Sequence, residues 1–239
     1  MNELGGLVAG AVNFRDIGGL PAGERVTRSG VLFRSGNLAR LDESTRRRIA
    51  ELGLRRIVDL RDDDEVRTDP SFLGPDAPAT VRVPLFLGSV ASFFAEDVSL
   101  SEMYDRLVDD AAPALAAVAR AVVEEQPVLV HCTVGKDRTG VSIALILAAA
   151  GVDEDAVVAD YARTAASLPA ARNRQVVAWL RAAHPEARHA VELATASPAP
   201  VMRALLGRLR AQYGSVGEYL SAAGVGDAEL IELRRILIA

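Results

Sequence analysis

The chain has 239 residues, half of them apolar and a quarter charged, with 5% aromatics and a net charge of −5. That length can bury a substantial core in one large domain or two small ones, and the acidic balance argues against nucleic-acid binding, which needs a basic surface. A single cysteine, Cys132, excludes an internal disulfide and any multi-cysteine zinc site.

Met1 to Gly6 lack the positive region of a signal peptide. The longest apolar run, Gly140 to Val152, is too short to span a bilayer, so a soluble cytoplasmic protein without stable membrane insertion is expected. Export by a leaderless route would leave no trace in such a sequence. Asn13 to Gly19 (NFRDIGG) ends in a glycine pair before Pro21, a turn signal. Val31 to Phe33 is a short strand candidate. Asp42 suits the N-cap of a helix over Glu43 to Leu52, with Gly53 closing it. Arg46, Arg47 and Arg48 read as its solvated face. Arg56 to Leu60 is the clearest strand of this half and runs into the acidic cluster of Arg61 to Glu65. Pro70 to Pro78 is a loop and Thr80 to Leu85 a further strand. Phe86, Phe93 and Phe94 concentrate aromatics, with core packing favoured over a lid or groove. Ser101 to Glu125 reads as a helix in two pieces, because Pro113 fits a first turn better than an interior.

Past Gly151 the pattern is helical: Asp153 to Thr164, Ala171 to Ala183, Val201 to Tyr213, Val216 to Ala223 and Asp227 to Ile238. Asp153 and Asp227 are the expected N-caps, and the stretch from Glu192 to Pro200 is a linker candidate. Strands alternating with helices over the first 150 residues predict an α/β fold with a mostly parallel central sheet flanked by helices. The helix-rich C-terminal part would cover one face or form a cap.

The chemistry concentrates in His131-Cys132-Thr133-Val134-Gly135-Lys136-Asp137-Arg138-Thr139-Gly140, between the apolar run Pro127 to Val130 and a helix former over Val141 to Ala150. A loop from a strand end to a helix start aims backbone N–H groups and the helix dipole at one point, which suits a tetrahedral anion. Gly135 permits the tight turn, and Arg138 offers a planar fork for two phosphate oxygens. The same field favours the Cys132 thiolate; thiols in such settings ionise at roughly 3.5–7.5. A thiolate below a phosphorus atom held by Thr133 to Arg138 is a nucleophile, and the loop would stabilise charge in the transition state. A nucleotide P-loop is excluded: its first glycine would fall at Val130, and Asp137 follows Lys136 where Ser or Thr is needed. His131 and Cys132 have no partners for a zinc site, and His131 is read as a prop for the loop.

This ten-residue run resembles the signature of cysteine-dependent protein tyrosine phosphatases, and within them an atypical bacterial family acting on phosphotyrosine and lipid phosphates. Asn13 to Gly19, Phe33 to Gly36, Ile57 to Arg61, and Tyr213 to Val216 with Tyr219-Leu220 are also similar to that family. The resemblance implies one phosphatase domain over 1–239, tyrosine phosphatase-like, with helices from about 153 as a cap and with no metal or cofactor. It implies Cys132 as the nucleophile forming a phosphocysteine, Arg138 as the phosphoryl ligand and Thr139 as an aid to thiolate departure. It also implies phosphorylated proteins or phosphoinositides as substrates. Lys136 would add a second cation for a more highly charged head group.

A general acid must protonate the leaving oxygen. Asp137, inside the loop, is favoured on reach. Asp59 is the alternative, at the end of a strand expected beside the central one; it could instead pair with Arg34 or Arg61, with Asp62 to Asp64 as a helix cap run. Arg163, Arg172, Arg174 and Arg181 fit ordinary amphipathic packing better than a lid or lipid-facing surface. Two other functions compete: a rhodanese-like sulfurtransferase, which also uses a cysteine-led anion loop, and a non-catalytic phosphate-binding module.

Overall fold

The structure, a computed structural model, describes residues 10–75, 77–85 and 96–239. In chain order the strands are β1 (Arg15–Asp16), β2 (Pro21–Ala22), β3 (Arg25–Val26), β4 (Leu32–Ser35), β5 (Arg56–Asp59), β6 (Ala79–Arg82) and β7 (Val128–His131). The helices among the described residues are α1 (Glu43–Glu51), α2 (Asp63–Thr68), α3 (Leu100–Asp110), α4 (Ala112–Glu124), α5 (Asp137–Ala150), α6 (Glu154–Ser167), α7 (Ala170–Ala183), α8 (Ala190–Thr195), α9 (Ala199–Tyr213), α10 (Val216–Ala222) and α11 (Asp227–Leu237).

The main sheet has the order β1-β4-β7-β5-β6, with β4, β7, β5 and β6 parallel and β1 antiparallel on the edge. β7 lies in the middle, and all four of its residues are buried. Its apolar run from Val128 to Val130 follows from cover on both faces. Alternate residues divide between the two layers. Leu129, with Phe33 and Ile57 from the neighbouring strands, packs under α1 beside Phe14 and Ile49. Val128 and Val130, with Leu32 and Val58, join the larger core on the opposite face. Burying each such side chain contributes roughly 1.5–3 kcal/mol. That larger core gathers side chains from Ile17 to Ile238, and α5 packs within it against α6, α10 and α11.

Register sets up the site. Ser35 and Asp59 both stand opposite His131, so β4, β7 and β5 end level, and the residues just beyond them meet at one crevice.

Pro113 occupies the first turn of α4, where the helical stretch divides, and Asp42 caps α1 by accepting from the Thr45 N–H. Several expectations need correction. Asp227 lies inside α11: Gly226 is the cap residue, and its N–H donates to Glu229 Oε2 at 2.7 Å. Asp153 stands at the cap of α6 but accepts from Gly23 N at 2.9 Å instead of from its own helix. The stretch from Glu192 to Pro200 is not a linker. Part of it forms α8, and Ser197 Oγ accepts from Ala165 N at 2.8 Å, which stitches it to α6. Phe86, Phe93 and Phe94 lie outside the described residues. No helix among the described residues is long and apolar enough to cross a membrane.

Candidate active site

Cys132 follows β7 directly and is buried, with the loop 133–136 wrapped over it before α5 begins. The Gly135 N–H donates to Cys132 Sγ at 3.3 Å. The loop carbonyls turn the other way, onto the segment that follows β4 and the one that precedes β1. Thr133 O accepts from Asn37 N at 3.0 Å, and Gly135 O accepts from Asn13 Nδ2 at 2.6 Å and Arg34 Nη2 at 2.9 Å. A trans peptide sets its N–H opposite its C=O. Carbonyls pinned outward therefore aim the Val134 and Lys136 N–H groups inward, making an anion-binding nest at a helix start.

Two glycines make this approach possible. Gly135 has φ +72°, and a Cβ there would lie 2.5 Å from Ser35 O. A Cβ at Gly36 would lie 2.9 Å from the Val134 carbonyl carbon.

Arg138, in the first turn of α5, is held by Glu65 in a two-pronged pair: Nη1 to Oε2 at 2.5 Å and Nη2 to Oε1 at 2.6 Å. The fork geometry fixes the guanidinium plane. Glu65 also accepts from the Thr133 hydroxyl, and its Oε2 from Asp62 N, as part of the capping box that starts α2. Burial alone would push the Glu65 carboxyl up; the hydrogen bonds from Arg138 outweigh it and hold the pKa at about 2.

Beneath the loop lies a buried ionic cluster. Asp160 on α6 accepts from Arg15 Nε and Arg34 Nη1, both at 2.7 Å. Arg34 is completely buried. Burial, then the neighbouring Arg15 charge, lowers its pKa to about 10, against the opposing pull of Asp160. It stays a cation at neutral pH. Breaking such a pair by removing one member costs about 3–5 kcal/mol, so the cluster ties the loop to β1, β4 and α6.

The two candidate acids are placed differently. Asp59 is buried and faces Arg61, which donates to it from Nε at 2.9 Å, from Nη2 at 2.7 Å and from its own backbone N–H at 3.0 Å. Burial pushes its carboxyl up, but the Arg61 bonds prevail and keep it below the usual range, hence ionised. Asp137, at the first position of α5, is partly exposed. Its Oδ1 accepts from Tyr104 at 2.9 Å and Lys136 Nζ at 2.7 Å.

Lys136 itself is buried, and its ammonium also donates to Ala196 O at 2.8 Å. Thr139 is fully buried, and its hydroxyl makes no hydrogen bond to another described residue. Burial lowers the His131 pKa to about 4, opposed by Asp59 at 3.7 Å. The imidazole is therefore neutral at pH 7, a buried wedge between β4 and β5.

A model of the tyrosine phosphatase family matches residues 7–239. The chain belongs to that family. The phosphatase is 30% identical to the triple specificity protein phosphatase PtpB of Mycobacterium tuberculosis, over 96% of this chain and 97% of that protein. It is 30% identical to a tyrosine-protein phosphatase of Nostoc commune, over 84% and 72% of the two chains. A putative tyrosine-protein phosphatase of Cupriavidus necator is 36% identical, over 62% and 59%. The sulfurtransferase and non-catalytic readings draw no support from these matches.

Sequence reasoning gave no role to Glu65, Tyr104 and Asp160, placed Asn13 only in a family-like stretch, and offered Arg34 as a partner for Asp59, whereas Arg34 pairs with Asp160; all five shape the phosphatase's site. Glu65 had a local signal, since Asp62 and Glu65 have capping-box spacing at the end of a strand. Among the four arginines of the 163–181 region, Arg172 is half-buried on α7 and donates to Ala194 O at 3.2 Å. Burial lowers its pKa, opposed by the Asp137 charge; the segment it touches also carries the Ala196 carbonyl that accepts from Lys136, so α7 reaches the edge of the site. Leu180 is the one fully buried residue of α7, and Val176, one turn before it, packs partly buried against the same core.

Proposed function

We propose that this phosphatase hydrolyses phosphotyrosine, and also phosphoserine, phosphothreonine and phosphoinositide monoesters, through a phosphocysteine on Cys132. In the first step the Cys132 thiolate attacks phosphorus from below, and the bond to the leaving oxygen breaks as Asp137 gives that oxygen its proton. In the second, water attacks phosphorus, Asp137 takes the water's proton, and the S–P bond breaks with its electron pair returning to sulfur. Arg138 and the inward N–H groups of Val134 and Lys136 hold the equatorial oxygens throughout. Asp59, committed to Arg61, is a structural residue in this reading, and His131 and Thr139 support the loop. The whole chain forms one phosphatase domain, with the helices after Asp153 as its cover and α7 at the mouth.

The observation that supports this most is the pairing of the Gly135 N–H with Cys132 Sγ inside a loop whose flanking carbonyls are pinned outward. The breadth of substrate rests on the triple specificity for which the mycobacterial relative is named. The test is a side-by-side assay on a phosphotyrosine peptide, a phosphoserine peptide and a monophosphorylated phosphoinositide. Cleavage of all three, each lost in Cys132→Ser, is expected; cleavage of phosphotyrosine alone would refute the broad range.

A further inference from the structure

Asp137 has one carboxylate oxygen already occupied. Oδ1 accepts from both the Tyr104 hydroxyl and the Lys136 ammonium. Tyr104 lies on α3, fully buried, and its oxygen is 2.9 Å from that of Tyr161, buried on α6. A phenol has a single hydrogen, and a carboxyl oxygen that carries no hydrogen only accepts. The Tyr104 hydrogen is thus committed to Asp137, and Tyr161 must be the donor within the tyrosine pair. A directed chain results, from Tyr161 through Tyr104 to Asp137 Oδ1.

The chain is held rigidly. The two rings meet edge to face with centroids 6.0 Å apart, and a Cβ at Gly140 in α5 would lie 3.2 Å from the Tyr161 ring. Burial, and after it the Asp137 charge, keeps the Tyr104 phenol well above its ordinary range, so its hydrogen is present at every working pH. Asp137 Oδ2, by contrast, has no partner among the described residues, and the side chain is 23% exposed.

We propose that Tyr104, backed by Tyr161, is a positioning residue for proton donation. With Lys136 it saturates Oδ1, so that Asp137 carries its proton on Oδ2, the oxygen left free to meet the leaving group. This rests on Asp137 as the general acid. In the first step Cys132 Sγ bonds to phosphorus while the bond to the leaving oxygen breaks with its electron pair going to that oxygen, which takes the hydrogen from Oδ2. In the second, water returns a hydrogen to Oδ2 as its oxygen bonds to phosphorus and the S–P bond breaks with its electron pair returning to sulfur.

The experiment compares kcat/KM for wild type, Asp137→Asn, Tyr104→Phe and Tyr161→Phe over a series of aryl phosphates. The series runs from dinitrophenyl phosphate, whose leaving group departs unprotonated, to phenyl phosphate, whose leaving group needs a proton. Asp137→Asn should lose on the order of 100-fold or more on phenyl phosphate and little on dinitrophenyl phosphate. Tyr104→Phe should follow the same pattern with about a tenfold loss on phenyl phosphate, and Tyr161→Phe should lose less in the same direction. If Asp137→Asn steepens the dependence while Tyr104→Phe parallels wild type, or weakens all substrates equally with a lowered Tm, the positioning role is overturned and the acid stands. If Asp137→Asn keeps the wild-type slope, the acid assignment falls, and the positioning role with it.

Discussion

Replacing Glu65 by Gln should weaken both the fold and the turnover, and the pH dependence of the first effect identifies its cause. The substitution keeps the shape and an acceptor but removes the charge that clamps Arg138. The Glu65 pKa falls from 4.5 to about 2 in the folded protein. At about 1.36 kcal/mol per unit that shift corresponds to about 3 kcal/mol between the two protonation states. The Glu65 side chain is 26% exposed, and solvent screening reduces the stabilisation to about 1.5 kcal/mol. Because the folded value is depressed, this contribution is present above the unfolded value and is lost as pH falls through the folded one. Urea denaturation of both proteins should show a gap of about 1.5 kcal/mol at neutral pH that shrinks to less than half by about pH 3. Turnover at neutral pH should drop about 10–100-fold, since a guanidinium freed from its clamp no longer meets the phosphoryl oxygens preorganised. A stability gap that stays constant with pH, or unchanged turnover, would refute the clamp.

Gly135→Ala sets a Cβ 2.5 Å from Ser35 O at a φ of +72°, so the loop must shift off β4. A loss of about 1–3 kcal/mol by denaturation together with near-complete loss of turnover is expected; a wild-type-like Ala variant would contradict the described loop. His131, neutral because burial lowers its pKa to about 4 from 6.5, binds its proton in the unfolded chain first. Its contribution is therefore intact above the unfolded value and is lost as pH falls towards the folded one. Wild-type stability should drop by about 2 kcal/mol between about pH 7 and pH 5 through this group alone. His131→Gln should remove that slope, and an identical slope in the variant would show that another group titrates.

The legible part of the molecule is the part whose chemistry is consecutive. From His131 to Gly140 every residue that shapes the loop is a neighbour in sequence, and β7 and α5 flank it with patterns strong enough to read. β5 and the division before α4 were readable for the same reason: an apolar β-branched run, and a proline with one permissive position. What frames the loop was not readable. Glu65 meets Arg138 across 73 residues of chain, Asp160 meets Arg34 across 126, and Tyr104 meets Asp137 across 33. Such pairings depend on topology, and a charged or phenolic side chain has no periodicity that announces its partner. The two short helices α2 and α8 have six residues each, too few to show a helical stripe. Asp227 misled because an acidic residue stabilises a helix start equally well inside the first turn, where it sits.

The proposed mechanism passes through a covalent phosphorus–sulfur intermediate at Cys132. Rapid acid quench during turnover of an aryl phosphate, followed by mass analysis of the intact chain and its peptides, measures it directly. One phosphoryl group on Cys132 that forms and decays with turnover is expected, with no such species in Cys132→Ser, which should be inactive. Phosphate release without any phosphorylated cysteine, or a Cys132→Ser variant that still turns over, would contradict it.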